Sequence, residues 1–356
     1  MMAVDGVGQR GVGQRGVGQR GVSQRDIAQL AGVSQSAVSV VLNGKADQLK
    51  LSVAVQQRIR AAAAELNYVP NAAARSLRGG RNGLIGVHTY ESVFPVGSQD
   101  YYHDFLAGIE AQAAEDGVDL VLFTSTQQPD GRRSIYAGGT NRLRLADGAI
   151  VLGMERDDAE MLQLAQERYR FVCVGRRELP GVELPFVTTD YDGGVTTLVR
   201  TAAEQGHRSV KYVMNHASYS PQRERRTAFD REAAAHGITT DRVAGTELVI
   251  TSSWLREVAA DHTLLVVEDG HRAHQVTVAS REAGMDLPQQ LSVACLDVPT
   301  GEASTAGWTH LAVPRHAMGR RAVTLLLEIL DGRVEPGHRD VLPCPPVPGT
   351  TLAAPA

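Results

Sequence analysis

Cysteine and aromatic residues are scarce in this chain, with 3 cysteines in 356 residues and 5% aromatics. Cys173, Cys295 and Cys344 lie far apart, in "FVCVG", "VACLD" and "LPCPP". They offer no metal spacing, and an odd count argues against a disulfide framework, so buried thiols in a reducing compartment are expected. Apolar runs are short as well. None approaches the roughly 20 residues a spanning helix needs, and the first residues lack the apolar stretch of a signal peptide. A cytoplasmic protein without a membrane partner is the expectation. P-loop, G-x-S-x-G and H-E-x-x-H patterns are missing, and "GVSQS" at 32–36 lacks the closing glycine. The 11 histidines show no metal spacing: His271 and His274 stand three apart but read as ordinary loop or surface residues. No enzyme activity, metal or cofactor is expected.

What is present begins with a stutter, "GVGQRGVGQRGVGQRGVSQRDIAQLAG", residues 6–32. It contains G-x-G-x-x-G three times. That fingerprint binds a dinucleotide only where a strand feeds the turn and a helix opens behind it. No strand-like run precedes these glycines, and the five-residue period matches neither helix nor strand, so the nucleotide reading fails. Residues 1–22 are expected to be a low-complexity, disordered and dispensable repeat; Arg10, Arg15 and Arg20 as a phosphate-touching arm is the competing reading.

Charge is uneven. Residues 1–82 hold 11 Lys/Arg against 4 Asp/Glu, a net of +7; the whole chain is −4, so residues 83–356 carry −11. A basic head on an acidic body predicts that only the head meets a polyanion.

From Ser23 the pattern turns helical. Ser23 is placed to cap "QRDIAQLA", where Ile27, Leu30 and Ala31 share a face. Gly32-Val33 makes a turn, and Ser34 caps "QSAVSVVLN", with Val38, Val41 and Leu42 directed inward. Helix, glycine turn and helix is the helix-turn-helix arrangement, whose second helix enters the major groove. Gln35 and Ser36, at the start of that helix, are the base-reading candidates, since glutamine pairs with adenine N6/N7. A solvated surface glutamine is the plain alternative. Ser34, Ser39 and Asn43 look like cap or phosphate contacts, which position without specifying.

The combination "DIAQLAGVSQSAVSVVLNG … AAAELNYVPNAAARSLRGG … LIGV" is more specific than apolar spacing. From Val22 to Val87 the chain resembles the LacI/GalR-type transcriptional regulators, and the resemblance continues more weakly to near residue 351. It implies a DNA-binding head at 23–70 and a hinge helix and linker at 71–82 that forms on the operator. Leu77 would wedge into the minor groove, with Asn71 and Arg75 in the same DNA-binding set. Two departures stand out: Val40 replaces the usual arginine and either touches a thymine methyl or packs, and "GKADQLKLS" carries three extra residues.

After Gly83, β-rich runs alternate with amphipathic helices. Candidate strands are 84–89, 119–125, 148–153, 170–175, 210–215, 263–269 and 291–297. Such alternation means parallel sheets with both faces covered. The fold class expected is an all-α helix-turn-helix head plus an α/β body. The resemblance makes that body a two-lobed, periplasmic-binding-protein-like core, 83–356, that binds an effector and dimerises. One lobe is expected at about 83–188 and 314–338, the other at about 189–313 and 339–356. The ligand would lie between them at the strand carboxyl ends.

Effector residues transfer from the resemblance one at a time. Arg225 falls where relatives hold a ligand hydroxyl or carboxylate, although Ala228 replaces a glycine. Asp297 matches an aspartate after a strand, and Glu268, a departure, stands where relatives have asparagine. Arg225 between Glu268 and Asp297 would grip a polyol; a purely structural bridge is weighed equally. Tyr101 and Tyr102 either stack on a sugar or pack on the sheet. Trp308, Arg315 and residues 128–146 match the family poorly. The expected protein is a repressor-type regulator: a homodimer, without a C-terminal coiled coil, on near-palindromic double-stranded DNA, controlled by a sugar or related effector. A regulator without any effector is the alternative, and a secreted sugar-binding protein a more distant one.

Overall fold

The computed structural model describes residues 22–42, 51–68, 81–91, 101–124, 133–153, 157–215, 219–244 and 248–355. The chain divides into two compact units, Met1–Gly80 and Arg81–Ala356. The first contains α1 (Gln24–Ala31), α2 (Gln35–Leu42) and α3 (Val53–Glu65). Each start is fixed locally. The Asp26 carboxylate accepts from both the amide and the hydroxyl of Ser23, at 2.8 and 2.7 Å. The Ser34 hydroxyl accepts from Ala37 N at 3.2 Å, and that of Ser52 from Val55 N at 3.4 Å. α1 ends because Gly32 takes a left-handed conformation, φ 64°. Val33 N then reaches back to Ala28 O at 3.0 Å, closing the helix terminus. Ile27, Ala28, Ala31, Val38, Val41 and Ile59 form the core of the trio. Leu30, expected inside, is 47% exposed. Ala28 takes its place, because the α1 face turned to α3 is narrow and lined by small side chains.

The second unit runs β1 (Leu84–His88), α4 (His103–Asp116), β2 (Asp119–Leu122), β3 (Gly148–Val151), α5 (Asp158–Gln166), β4 (Phe171–Val174) and β5 (Phe186–Thr189). It continues through α6 (Tyr191–Glu204), β6 (Ser209–Met214), α7 (Ser220–Ala235), β7 (Thr239–Ala244), α8 (Ser252–Asp261) and β8 (Leu264–Val267). It closes with α9 (Gly270–Ala283), β9 (Ser292–Cys295), β10 (Thr309–Leu311), α10 (Arg315–Leu330), β11 (Arg339–Leu342) and β12 (Pro346–Val347). Two six-stranded sheets result, ordered β11-β5-β4-β3-β1-β2 and β12-β10-β9-β8-β6-β7. All neighbours are parallel except β12, which runs antiparallel to β10. Central strands such as β3, β4, β8 and β9 are buried throughout, as parallel strands covered on both faces must be.

The sheets define the two lobes, and the chain crosses between them at 190, at 312–314 and at 343–345. The last crossing differs from expectation. Residues 339–342 are expected in the second lobe, but β11 pairs with β5 in the first sheet, and β12 joins the second. The hinge boundary also shifts. Asn82 and Gly83 donate their amides to Asp147, each at 2.8 Å, so residues 81–82 belong to the body. In the first lobe α4 and α10 cover one sheet face in very close approach. An ideal Cβ on Gly319 would sit 2.2 Å from Phe105 O, and one on Gly108 2.0 Å from His316 O. All three cysteines are free and buried.

Candidate functional site

In the first unit the candidate residues cluster at the start of α2. Ser34 caps that helix, and its hydroxyl shares a 2.8 Å hydrogen bond with that of Ser36. Ser34 and Ser36 are exposed, while Gln35, Ser39 and Val40 are half-buried on the flank away from Ala37, Val38 and Val41. The packing of α2 thus leaves its amino-terminal turn outward, with two hydroxyls and an amide side chain side by side. Asn43, Asn71, Arg75 and Leu77, and the hinge helix expected at 71–80, lie outside the described residues.

In the second unit a cleft opens between the lobes, about 420 Å³ of space partly open to solvent. Tyr101, Tyr102, Gly153, Gly175 and Arg177 line it from the first lobe, and Tyr191, Tyr219 and Pro221 from the linking segment and second lobe. The two expected tyrosines both reach the cleft, and both also pack: Tyr101 meets Tyr102 edge-on at 5.2 Å and Phe105 at 5.6 Å. The Tyr102 hydroxyl donates to the Glu91 carboxylate.

The three expected charged residues do not form one group. Arg225, 3% exposed, donates to Leu296 O at 2.6 Å and Pro221 O at 3.2 Å. It stands 3.4 Å from Asp297. Burial works most strongly against its charge, but Asp297 together with Tyr191, Tyr101 and Tyr212 outweighs it, and its pKa is raised. Arg315, from the first lobe, bonds the other Asp297 oxygen. Two arginines therefore share one carboxylate. Tyr191 lies across Arg225, 5.2 Å from ring centre to guanidinium, and Tyr101 across Arg315 at 4.7 Å. Those rings stand between the charged group and the cleft, so Arg225 and Asp297 sit behind its lining rather than in it.

Glu268 is a correction. It is fully buried and pairs with Arg226, not Arg225, at 2.5 and 2.7 Å. The Tyr212 hydroxyl and Asn215 amide complete its shell at 2.9 and 2.6 Å. Successive residues of a helix point about 100° apart, so adjacent arginines of α7 serve different acids. Arg315 joins the Asp297 cluster, and Trp308 belongs to the second lobe's core, its indole donating to Thr277 at 3.0 Å. Tyr191, Tyr219 and Arg177 were missed. Arg177 lies three residues past the end of strand β4, and its place beyond a strand's carboxyl end is the signal the sequence offers.

Among the described residues no helix is long and apolar enough to cross a membrane, and no group of His, Cys, Asp and Glu is placed to hold a metal ion. Residues 24–71 match the family "Bacterial regulatory proteins, lacI family", and residues 199–352 match "Periplasmic binding protein-like domain". The chain is 31% identical over 211 residues to the sucrose operon repressor of Klebsiella pneumoniae, an alignment spanning 59% of this chain and 60% of that protein. It is 26% identical over 322 residues to the transcriptional regulator CelR of Thermobifida fusca, spanning 88% of this chain and 93% of that one. These relatives are regulators rather than enzymes. The fold matches the lac repressor dimer bound to operator and the anti-inducer ONPF, with a TM-score of 0.72 at 20% identity over 94% of this chain and all of that one. A CelR–cellobiose complex matches with a TM-score of 0.62 at 23% identity, over 93% of this chain and 99% of that one. With a lacI-type helix-turn-helix unit and a periplasmic-binding-protein-like body on one chain, the protein belongs to the LacI family of bacterial regulatory proteins.

Proposed function

We propose that the protein is a sequence-specific DNA-binding transcriptional repressor, working as a homodimer on a near-palindromic operator and controlled by a small molecule held between its lobes. The observation that carries this reading is the amino-terminal turn of α2. Its position is set by the Ser34 cap and the α1–α3 core, and Ser36 is outward with Gln35 beside it. That is the geometry by which a second helix meets base edges. The net charge of +7 over residues 1–82 supplies the attraction to phosphates. The relatives' names support the wider reading: one is a sucrose operon repressor, another a regulator solved with cellobiose, and a structural neighbour is a dimer on operator DNA. An effector of sugar type fits a cleft walled by four tyrosines. The working site of such a regulator is the cytoplasmic nucleoid, and no catalytic role is proposed.

Selection from random duplexes with the full chain tests this. A two-fold symmetric consensus should emerge, and Gln35→Ala should relax base preference at one position of each half-site, costing about 1–3 kcal/mol of discrimination there. A consensus without symmetry, or no enrichment, would count against the proposal.

A further inference from the structure

We infer that the effector carries an anionic group, a carboxylate or a phosphate ester, received by Arg177. This rests on the cleft being the effector site and deepens that reading. Among the described residues, three arginines near the cleft have acids, and Arg177, which lines it, has none. Arg225 and Arg315 share Asp297. Arg176 meets Glu178 at 3.3 Å and Glu224, across the lobes, at 3.1 Å. Arg177 differs. It is 7% exposed, and among the described residues its hydrogen bonds go only to neutral carbonyls, from Nη1 to Arg176 O at 3.0 Å and from Nη2 to Gly153 O. Among the described residues no carboxylate lies within 4.0 Å of it. Glu91, on the same wall, is taken by the Tyr102 hydroxyl.

Sequestering a guanidinium without a counter-ion is costly, and such a charge is normally paired. Its planar fork has five donors, two of which are used here, and it matches the two oxygens of a carboxylate or phosphate. Arg177 also lines the open space directly, whereas Arg225, Arg315 and Asp297 do not. An anion there would meet the Arg177 guanidinium, and the tyrosines of the cleft wall would face the rest of the same molecule.

Calorimetric titration of the full-length protein at matched ionic strength tests this, with inorganic phosphate, glucose 6-phosphate, gluconate and glucose as probes. At least one anion should bind saturably at one per chain, and glucose at least about 10-fold more weakly. Arg177→Gln should weaken the anion about 10- to 100-fold, as loss of a charged hydrogen bond does, and Arg177→Lys should recover part of it. Binding by phosphate or glucose 6-phosphate identifies the phosphate source, and binding by gluconate the carboxylate source. Three results would each overturn the inference: no anion binding, glucose binding as tightly as the anions, or anion affinity unchanged in a folded Arg177→Gln protein. The comparison of glucose with the anions needs no variant and stands if Arg177→Gln does not fold. A mobility-shift assay of the parent on its selected duplex separates the two levels. Operator binding without anion binding overturns this inference alone, whereas anion binding without operator binding overturns the regulator reading.

Discussion

Replacing His88 with leucine isolates one buried group whose protonation should set part of the body's acid stability. His88 ends β1, is fully buried, and among the described residues neither ring nitrogen has a hydrogen-bond partner. Its ring meets Tyr90 edge-on at 4.9 Å. Burial, and then the nearby Arg133 charge, lower its pKa from 6.5 to about 4. Because the folded value lies below the unfolded one, the unfolded chain binds the extra proton between those limits. The neutral ring's contribution is complete above pH 6.5 and is lost as pH falls toward 4. The gap corresponds to about 3 kcal/mol in all, of which about 2 kcal/mol disappears between pH 7 and pH 4.5. His88→Leu should remove this slope while costing little near pH 7, since no hydrogen bond is broken. Urea titrations followed by far-ultraviolet circular dichroism at pH 7, 5.5 and 4.5 measure it. Parallel loss of stability in parent and variant would refute the reasoning.

Three further outcomes follow from the packing. Ser34→Ala removes the cap of α2 and should cost about 1 kcal/mol of head stability, seen as a lower melting temperature of the head's helical signal; no change would contradict the cap assignment. Glu268→Ala strands Arg226 and two further donors and should destabilise the body by about 3–5 kcal/mol, whereas the double change with Arg226→Leu should cost clearly less; additive losses in denaturant titrations would deny the pairing. Gly319→Ala drives a methyl group against Phe105 O and should cost about 1–3 kcal/mol despite alanine's better helix propensity; a stabilised protein would show that α4 and α10 can separate freely.

The head was readable because its determinants are local: Ser23, Gly32 and Ser34 act within a few residues of themselves, and side-chain spacing marks the buried face. Leu30 escaped because a helix face is only as wide as its partner requires. In the body, buried central strands such as β3 and β8 announce themselves as apolar runs. β7, "TTDRVA", and β11, "RDVL", do not; they are half-exposed edge strands whose pairing is decided across the fold. Sequence alone therefore puts the return to the second lobe at 339, ahead of β11, whereas the chain crosses at 343–345. The resemblance points to Tyr101 and Tyr102, and both line the cleft. The grouping of Arg225 with Glu268 was not recoverable, because sequence order does not reveal which of two adjacent arginines faces which acid. Arg177 is unremarkable within "VGRRELPG" until the sheet puts it on the cleft wall.

The central claim is that the α2 turn reads a specific sequence, and relative affinity tests it most directly. The full chain's dissociation constant for its selected duplex should be measured against a scrambled duplex of equal length, at low and at physiological salt. The account predicts a preference of at least about 10³-fold at physiological salt, with both affinities falling steeply as salt rises. Equal affinity for the two duplexes, or affinity indifferent to salt, would contradict it.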